Sequence, residues 1–504
     1  PARADQYYDK AIKLAIKVMG NEHPETGLLY TRYGYFLITN KQVDRSLEMF
    51  SKALEISKKN YGNKSREVSN NLTHIGNYYL IRNDLSKALT YYQDAIIAYV
   101  KDFNDKNLTS NPSVKQIEPD RYLVNALNGK AEALSIISDE NSLNNSLETY
   151  KLSIAVIEKL RSSYQNEDSK LLLSEDERKT FLSTVNIASR LYKTTGNRKF
   201  LEEAFLYSEK GKSAVLLASI RDIEAKQFGR IPENIQQREK KLKLDLGSYN
   251  RFTYEERQKP NPDENKIKFW ESKIFDLEQK YDSLVALLEK DYSDYYNLKY
   301  KEPDLSIQKI QSQIEPGRAL IEYTLSDSLL YIFVVNQKRF DLITHRIDSS
   351  FYRNINTLRN ATNSNDMMSL KKEDYINYTK AAHTLYNDLL KPCKGIIDEK
   401  KLIIIPDSEL GYISFDMLLS EKADTNKMDF RPLHFLILDH TISYSASAIL
   451  QYSGLNKRLK KATRNLLAMA PSYNNLTDLE KDGFIDETGN KVFLLPIPGV
   501  EAEI

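Results

Sequence analysis

A residue pattern that recurs every 42 residues constrains the fold of this chain more than any other feature. The same three positions of each unit hold a small, an aromatic and a small residue: Ala4, Tyr8 and Ala11, then Ser46, Phe50 and Ala53, then Ala88, Tyr92 and Ala95. Glycines keep the interval too, with Gly20 followed by Gly62 and Gly34 by Gly76. A small residue lets two helices approach closely, and the aromatic at i+4 fills the space beside it. The pattern therefore predicts helical hairpins stacked into a solenoid.

The unit resembles the tetratricopeptide repeat in the longer form found in kinesin light chains, including the connection Gly20-Asn21-Glu22-His23-Pro24. A fourth, degenerate unit follows a polar insertion at 101–115, and a fifth spans 174–220. Ser174 and Glu177 have the spacing of a capping box, which predicts that the fifth unit begins there. We assign residues 1–225 to an α-solenoid. The resemblance implies that this solenoid binds a protein or peptide partner.

Residues 226–300 are predicted to form an antiparallel coiled-coil hairpin. Apolar residues of its second half alternate spacings of three and four, as in a heptad seam: Ile267, Trp270, Ile274, Leu277, Tyr281, Leu284 and Leu288. The segment Pro260-Asn261-Pro262 separates the two halves, and a helix does not continue through it. Two arms of one chain can bury this seam, and two chains can also share it, so oligomerisation through the hairpin stays an alternative.

The pattern changes to strands after Pro303. Segments 319–325, 329–335 and 340–347 predict an antiparallel meander, because polar turns separate them. Leu402–Ile405 is a continuous apolar run that suits a strand buried on both faces. Segments 442–445 and 466–470 are predicted as further inner strands, with a helix at 447–461 between them. The fold class is therefore α + α/β.

The α/β part resembles the CHAT domain, which belongs to the caspase and separase group. The resemblance rests on the run Leu402-Ile403-Ile404-Ile405-Pro406-Asp407-Ser408-Glu409-Leu410-Gly411 and its continuation to Leu418. Segments 319–323, 385–390 and 442–447 add to it, and 497–504 is similar to the Leu-Pro-Gly-Ala-Glu-Ala-Glu-Ile stretch of the family. Ser408 departs from the family, which usually has Gly there. We assign residues 301–504 to the N-terminal, non-catalytic portion of a caspase-like CHAT domain.

The resemblance implies a cysteine peptidase whose catalytic dyad lies elsewhere. CHAT peptidases use a His as base or orienting group and a Cys thiolate as nucleophile, because a neighbouring imidazole activates the thiol. We expect both downstream of Ile504 and assign no catalytic residue, since none of the six histidines lies in a matching strand end. The chain would then be the partner- or substrate-binding and regulatory portion of an intracellular caspase-like endopeptidase. The alternative is a non-enzymatic repeat scaffold with a pseudoprotease domain.

Three groups of residues could carry chemistry, yet each favours a structural interpretation. Cys393 is the only cysteine, and a lone Cys is usually a small buried apolar residue rather than a nucleophile. Asp407 and Glu409 follow a strand, where α/β sites often form, but this segment is a turn in the family. Gly211-Lys212-Ser213 lacks the remainder of a phosphate-binding loop and lies within a predicted helix.

Two further groups are candidates for ligand contacts. His434, Asp439 and His440 could form a metal or acid/base cluster, but their spacing is not that of a metal site. The run Lys457–Lys461, with Arg464 beyond it, could contact phosphates and is more typical of a solvated helix face. We therefore expect no cofactor and no metal.

Charge and hydropathy exclude some partners. The chain has 72 basic and 70 acidic side chains, a net charge of +2, so we expect no direct contact with nucleic acid. The longest apolar stretch, Leu329–Val335, is far shorter than the roughly 20 residues of a membrane-spanning helix. The N-terminal residues show neither a signal peptide nor an initiating Met, so we expect a cut edge there. With a single cysteine, this favours a cytoplasmic location.

Overall fold

The repeats of the sequence are pairs of packed helices in the computed structural model. Their bounds are α1 (Ala2–Met19), α2 (Pro24–Thr39), α3 (Val43–Tyr61), α4 (Arg66–Ile81), α5 (Leu85–Tyr99), α6 (Arg121–Ile137), α7 (Glu140–Ser163), α8 (Glu167–Thr195) and α9 (198–212). From α1 to α8, each helix packs against the next one in the sequence. Such nearest-neighbour packing is that of a solenoid.

The structure describes residues 2–163, 167–212, 231–257, 263–293, 295–296, 306–363, 371–397, 399–452, 484–485 and 491–492. The chain divides into two compact units, Pro1–Leu455 and Asn456–Ile504. Within the second unit, β6 (Phe484–Ile485) and β7 (Lys491–Val492) pair in antiparallel fashion. Among the described residues, no helix has the length and apolarity needed to cross a membrane.

Two of the three aromatic residues in the 42-residue pattern, Phe50 and Tyr92, pack against a glycine of the preceding helix. A Cβ atom on Gly34 would lie 2.6 Å from the ring of Phe50, and one on Gly76 would lie 2.7 Å from the ring of Tyr92. Both rings are fully buried. Tyr92 also lies against Gly129, where a Cβ atom would come within 2.4 Å of its ring. Close helix contact therefore requires glycine at positions 34, 76 and 129.

The fifth unit begins earlier than predicted. Helix α8 runs without interruption from Glu167 to Thr195, so Ser174 lies inside the helix and does not cap it. Glu177 instead pairs with Arg161 of α7, with 2.7 Å between Oε2 and Nε. The residues around Ser174, such as Lys170 to Leu173, favour helix, and the capping-box spacing alone does not interrupt them.

The polar insertion between α5 and α6 is held in place by lysine side chains. Lys64 donates to the carbonyl oxygens of Val100, Lys101 and Phe103 over 2.9, 2.6 and 2.9 Å. The fully buried Lys130 donates to Gln93 Oε1, the Ser110 carbonyl oxygen and Asn111 Oδ1 over 2.6, 2.6 and 3.0 Å. Polar backbone that leaves a helix is thereby satisfied.

The predicted hairpin consists of α10 (Glu233–Arg257) and α11 (Glu264–Asp291), which pack against each other. Its helices are antiparallel, because Asp263 N–H contacts Glu256 (3.3 Å) at one end and Tyr295 O–H contacts Glu239 (2.6 Å) at the other. Ile267, Leu284 and Leu288 of the predicted seam are buried within the chain. Oligomerisation through this hairpin stays a prediction.

The α/β part is a five-stranded mixed sheet. Its elements are α12 (Ile307–Gln313), β1 (Arg318–Leu325), β2 (Leu329–Val335), β3 (Phe340–Arg346), α13 (Ser349–Asn363), α14 (Lys372–Leu389), β4 (Lys401–Ile405), β5 (Thr441–Tyr444) and α15 (Ala448–Tyr452). The order is β3-β2-β1-β4-β5, in which β1 to β3 form the predicted meander and β1, β4 and β5 run parallel. The predicted strand at 466–470 lies outside the described residues.

The two faces of the sheet are covered by different parts of the chain. Side chains alternate along a strand, and Ile321 and Tyr323 of β1 pack with α13 and α14. On the other face, Phe333 and Phe340 contact Phe205 of α9, with ring centroids 5.5 and 5.6 Å apart. The last repeat helices and the sheet therefore share one hydrophobic core. The division at 1–225, 226–300 and 301–504 stays a prediction.

Candidate functional site

A groove of about 1040 Å³ lies between the repeat helices and the first turn of the sheet. Helices α6, α7 and α8 supply most of its lining, and Arg66 of α4, residues 326–329 and Tyr331 supply the rest. Amide and hydroxyl side chains are frequent in this lining: Asn125, Asn128, Asn186, Thr180, Ser183, Ser326 and Ser328. Such side chains can donate to and accept from the backbone of an extended peptide.

Several groove side chains are fixed by hydrogen bonds between helices. Asn128 donates from Nδ2 to Thr180 Oγ1 over 2.8 Å and accepts from Ser153 over 2.7 Å. Asn186 of α8 donates to the hydroxyl of Tyr331 on β2 over 2.8 Å. Asn125 is exposed in the groove. The walls are thus pre-organised, and Asn125 adds an exposed amide to the lining.

Charged side chains at the rim of the groove carry both signs. Arg66 is 3.3 Å from Asp120 and lies over the ring of Tyr122, with 4.5 Å to its centroid. The surroundings of the groove raise the pKa of Glu132 through desolvation. Since neither sign dominates, the groove has no strong electrostatic preference for a cationic or an anionic partner.

The groove ends at the carboxyl edge of the parallel strands. Asp407, two residues beyond β4, accepts from the Leu325 N–H at the end of β1 and from Arg178 of α8, each over 2.7 Å. Its side chain is 4% exposed, so it faces the interior and not a substrate. Glu409 is exposed in the following turn. Binding sites of α/β sheets form beyond this edge.

Cys393 lies in an environment that suppresses thiol reactivity. The residue is 1% exposed, and its Sγ is 3.7 Å from the Leu389 carbonyl oxygen. Burial raises the pKa of the thiol to about 12. A thiol that stays protonated at neutral pH is a poor nucleophile. This is the environment of a small buried apolar residue.

The histidines considered as ligands do not converge. His434 Nε2 is 3.2 Å from Asp439 Oδ2, whereas His440 Nδ1 contacts the Glu399 carbonyl oxygen at 3.1 Å. In the part of the chain that the structure describes, no three His, Cys, Asp or Glu side chains form a possible metal site. The basic run at 457–461 and Arg464 lie outside the described residues.

A buried polar cluster joins α9 to the sheet, and the sequence analysis did not identify it. Glu322 of β1 accepts from Ser208 Oγ and from Lys212 Nζ, each over 2.6 Å. Lys212 belongs to the Gly-Lys-Ser tripeptide, and the described part of that tripeptide is helical. Its ammonium group neutralises a carboxylate and is not available to a phosphate. The one signal in the sequence is that Glu322 is an acidic residue between the apolar residues of β1.

Comparison with known families agrees with this architecture. Residues 25–99 match the tetratricopeptide repeat, and residues 379–504 match the CHAT domain. The chain carries tetratricopeptide repeats and a CHAT domain. No curated protein matches it.

The CHAT match begins inside α14 and includes β4, β5 and α15, while the meander of β1 to β3 precedes it. Since β1 pairs with β4, the meander and the matched strands are one sheet. The tetratricopeptide match covers α2 to α5, so α9 and all groove-lining residues except Arg66 lie between the two matched segments. The segment between the two matched families therefore links the repeats to the CHAT domain.

Proposed function

We propose that this chain is the recognition and regulatory portion of a caspase-like cysteine endopeptidase. Its tetratricopeptide repeats bind an extended segment of a protein partner or substrate in the groove, and its CHAT domain belongs to the peptidase. The catalytic His and Cys are expected downstream of Ile504, as the resemblance implies. The observation that carries the proposal is the composite groove, which repeat helices and the β1–β2 turn line together.

An extended peptide is the occupant that the lining favours. Fixed amides and hydroxyls supply donors and acceptors for a peptide backbone, and mixed rim charges attract no strongly charged ligand. One end of the groove is lined by the turn that follows β1, and Asp407 accepts from the Leu325 N–H at the end of that strand. A peptide bound there would extend toward the edge at which α/β enzymes place their catalytic groups.

The finer assignments follow from the same proposal. Residues 1–225 act as the recognition arm, 226–300 as a coiled-coil hairpin and 301–504 as the non-catalytic portion of the CHAT domain. A cytoplasmic location suits a chain with one cysteine, Cys393, which is buried and free. Assembly into oligomers would proceed through the hairpin.

Panning a random peptide library on the chain tests the groove. We expect Asn125→Trp to weaken the selected peptides at least tenfold, because the indole fills the groove beside Asn128. Asn141→Trp is the matched control, since Asn141 is exposed on α7 and does not line the groove. Equal affinity in both variants, or a chain that selects no peptide, would contradict the proposal.

The peptidase assignment needs the natural protein with its sequence downstream of Ile504. We expect cleavage of a protein that carries the selected peptide, and we expect replacement of a strand-end Cys downstream of Ile504 to abolish it. Retained cleavage after that replacement would sink the assignment. A downstream sequence without such a Cys would support the repeat scaffold with a pseudoprotease.

A further inference from the structure

The last described repeat helix contacts two separate elements of the CHAT part through one buried cluster. Ser208, Glu209 and Lys212 lie within one turn of α9, and all three reach the sheet or α15. Ser208 and Lys212 bind the same oxygen of Glu322, each over 2.6 Å. Glu322 and Glu209 are fully buried, and the Lys212 side chain is 5% exposed. Ser208 also contacts the hydroxyl of Thr324.

Glu209 carries the second connection. Its Oε2 accepts from the Ile449 N–H over 2.8 Å, in the first turn of α15. Ser447 completes that helix start, because its Oγ accepts from the Leu450 N–H over 3.1 Å. One side chain of the repeats therefore fixes the beginning of the helix that follows β5.

Glu209 and Glu322 are two buried carboxyl groups that interact with each other. Burial and the negative charge of Glu322 raise the pKa of Glu209 well above its usual value, and the two side chains are hydrogen bonded. Lys212 pairs with Glu322, and the raised pKa of Glu209 favours the protonated form of Glu209 at neutral pH. A neutral Glu209 can donate to Glu322 and accept from Ile449 at once.

We propose that Glu209, Glu322 and Lys212 form a latch that transmits movement of the repeats to α15 of the CHAT domain. The inference rests on the proposed function, because occupancy of the groove by a partner would supply the movement. A tilt of α9 cannot preserve both connections, since one helical turn is tied to β1 and to α15 by short, buried contacts. Movement of the repeats would therefore either break the contact between Glu209 and Ile449 or pull the first turn of α15 along with α9.

Hydrogen–deuterium exchange on the free chain tests the latch without a partner. In the wild type, we expect the exchange rates of peptides from 198–212 and 441–452 to depend in the same way on low concentrations of urea, because the two segments open as one unit. Glu209→Ala should make 441–452 exchange at least tenfold faster and leave α14 (372–389) unchanged. Glu209→Gln should stay within twofold of the wild type, since the amide keeps both the acceptor and the donor.

Lys210→Met is the matched control on the same helix, because Lys210 pairs with Glu158 of α7 (2.9 Å). It should not change exchange at 441–452. Different urea dependences of the two segments in the wild type would overturn the latch even if Glu209→Ala failed to fold. Equal acceleration in Glu209→Gln and Glu209→Ala, or none in Glu209→Ala, would also overturn it. Peptide binding by the groove is unaffected by these outcomes, so each proposal can fail separately.

Discussion

Arg178 and Asp407 are 229 residues apart in the sequence, yet their side chains form an ion pair with 2.7 Å between Nη2 and Oδ2. Arg178 also donates to the Leu325 carbonyl oxygen over 3.2 Å, and Asp407 accepts from the Leu325 N–H. The last repeat hairpin is thus bound to the ends of two parallel strands. Replacing Arg178 therefore measures how much this contact between the repeats and the CHAT domain contributes to stability.

We expect Arg178→Met to lower the free energy of unfolding by about 1–3 kcal/mol, because it leaves the buried Asp407 carboxylate without its cation. Urea unfolding measures the change. Arg431→Met is the control, because Arg431 is also 2.7 Å from an aspartate, Asp429, but its side chain is 89% exposed. No measurable change is expected there. Equal losses in the two variants would contradict a structural role for the Arg178 pair.

We expect Gly76→Ala to destabilise the repeats by about 1–3 kcal/mol, because the new Cβ would overlap the buried ring of Tyr92. Alanine favours helices over glycine by about 1 kcal/mol, so any net loss reports the steric overlap. Gly411→Ala is the control, since no atom lies within 4 Å of a Cβ at that position. Thermal unfolding of both variants checks the prediction, and a more stable Gly76→Ala would refute it.

His74 makes the stability of the repeats depend on pH. Its ring stacks on Phe50 with centroids 4.9 Å apart, and burial lowers the pKa of His74 to about 4. The unfolded chain, whose His pKa is about 6.5, then binds a proton that the folded chain does not. The neutral His74 ring therefore makes its full contribution to the free energy of unfolding above pH 6.5, and this contribution is lost as the pH falls toward 4.

We expect His74→Phe, which keeps a stacked ring, to lose less stability than the wild type between those pH values. Urea unfolding at several pH values gives the comparison. His23→Phe serves as the control, because His23 lies at a helix start and its Nδ1 only accepts from the Glu25 N–H. Parallel pH profiles for the wild type and His74→Phe would show that His74 does not titrate as described.

We expect Lys130→Met to release the insertion between α5 and α6. The change removes the donor from three oxygen atoms, on Gln93, Ser110 and Asn111, and methionine cannot replace it. Limited proteolysis should cut within 101–117 faster than in the wild type. Lys106→Met is the control, because Lys106 is in the insertion itself and pairs with Asp94 at the surface. Unchanged cleavage in Lys130→Met would show that other contacts hold the segment.

Much of the fold could be predicted because its signals are local. The glycine and aromatic positions of the 42-residue unit identify helices that touch, as Gly34 and Phe50 do. The apolar runs of β1, β2 and β4 identify strands, and their turns identify the meander. The predicted start of the fifth unit at Ser174 was wrong, because a capping-box spacing can also occur inside a helix. The helix propensities of the neighbouring residues then decide whether the helix continues.

The candidate site could not be predicted in the same way. Glu209, Lys212 and Arg178 are charged residues on helices, a pattern that usually indicates a solvated face. Their partners are Glu322, Ile449 and Asp407, which lie more than a hundred residues away in the sequence. Lys212 and Glu322, for example, are 110 residues apart. The groove combines helices from several units with a turn of the sheet, so no single segment carries its pattern.

The sequence by itself determined the repeat, the strands and the resemblance to tetratricopeptide and CHAT families, because helix and strand periodicity depend on neighbouring residues. The tertiary structure alone decided that the repeats and the sheet share one core and that α9 contacts β1 and α15. Burial is the physical reason for this difference. A charged side chain is stable inside a protein only where the fold supplies its partner, and the sequence of one segment does not say which distant residue that is.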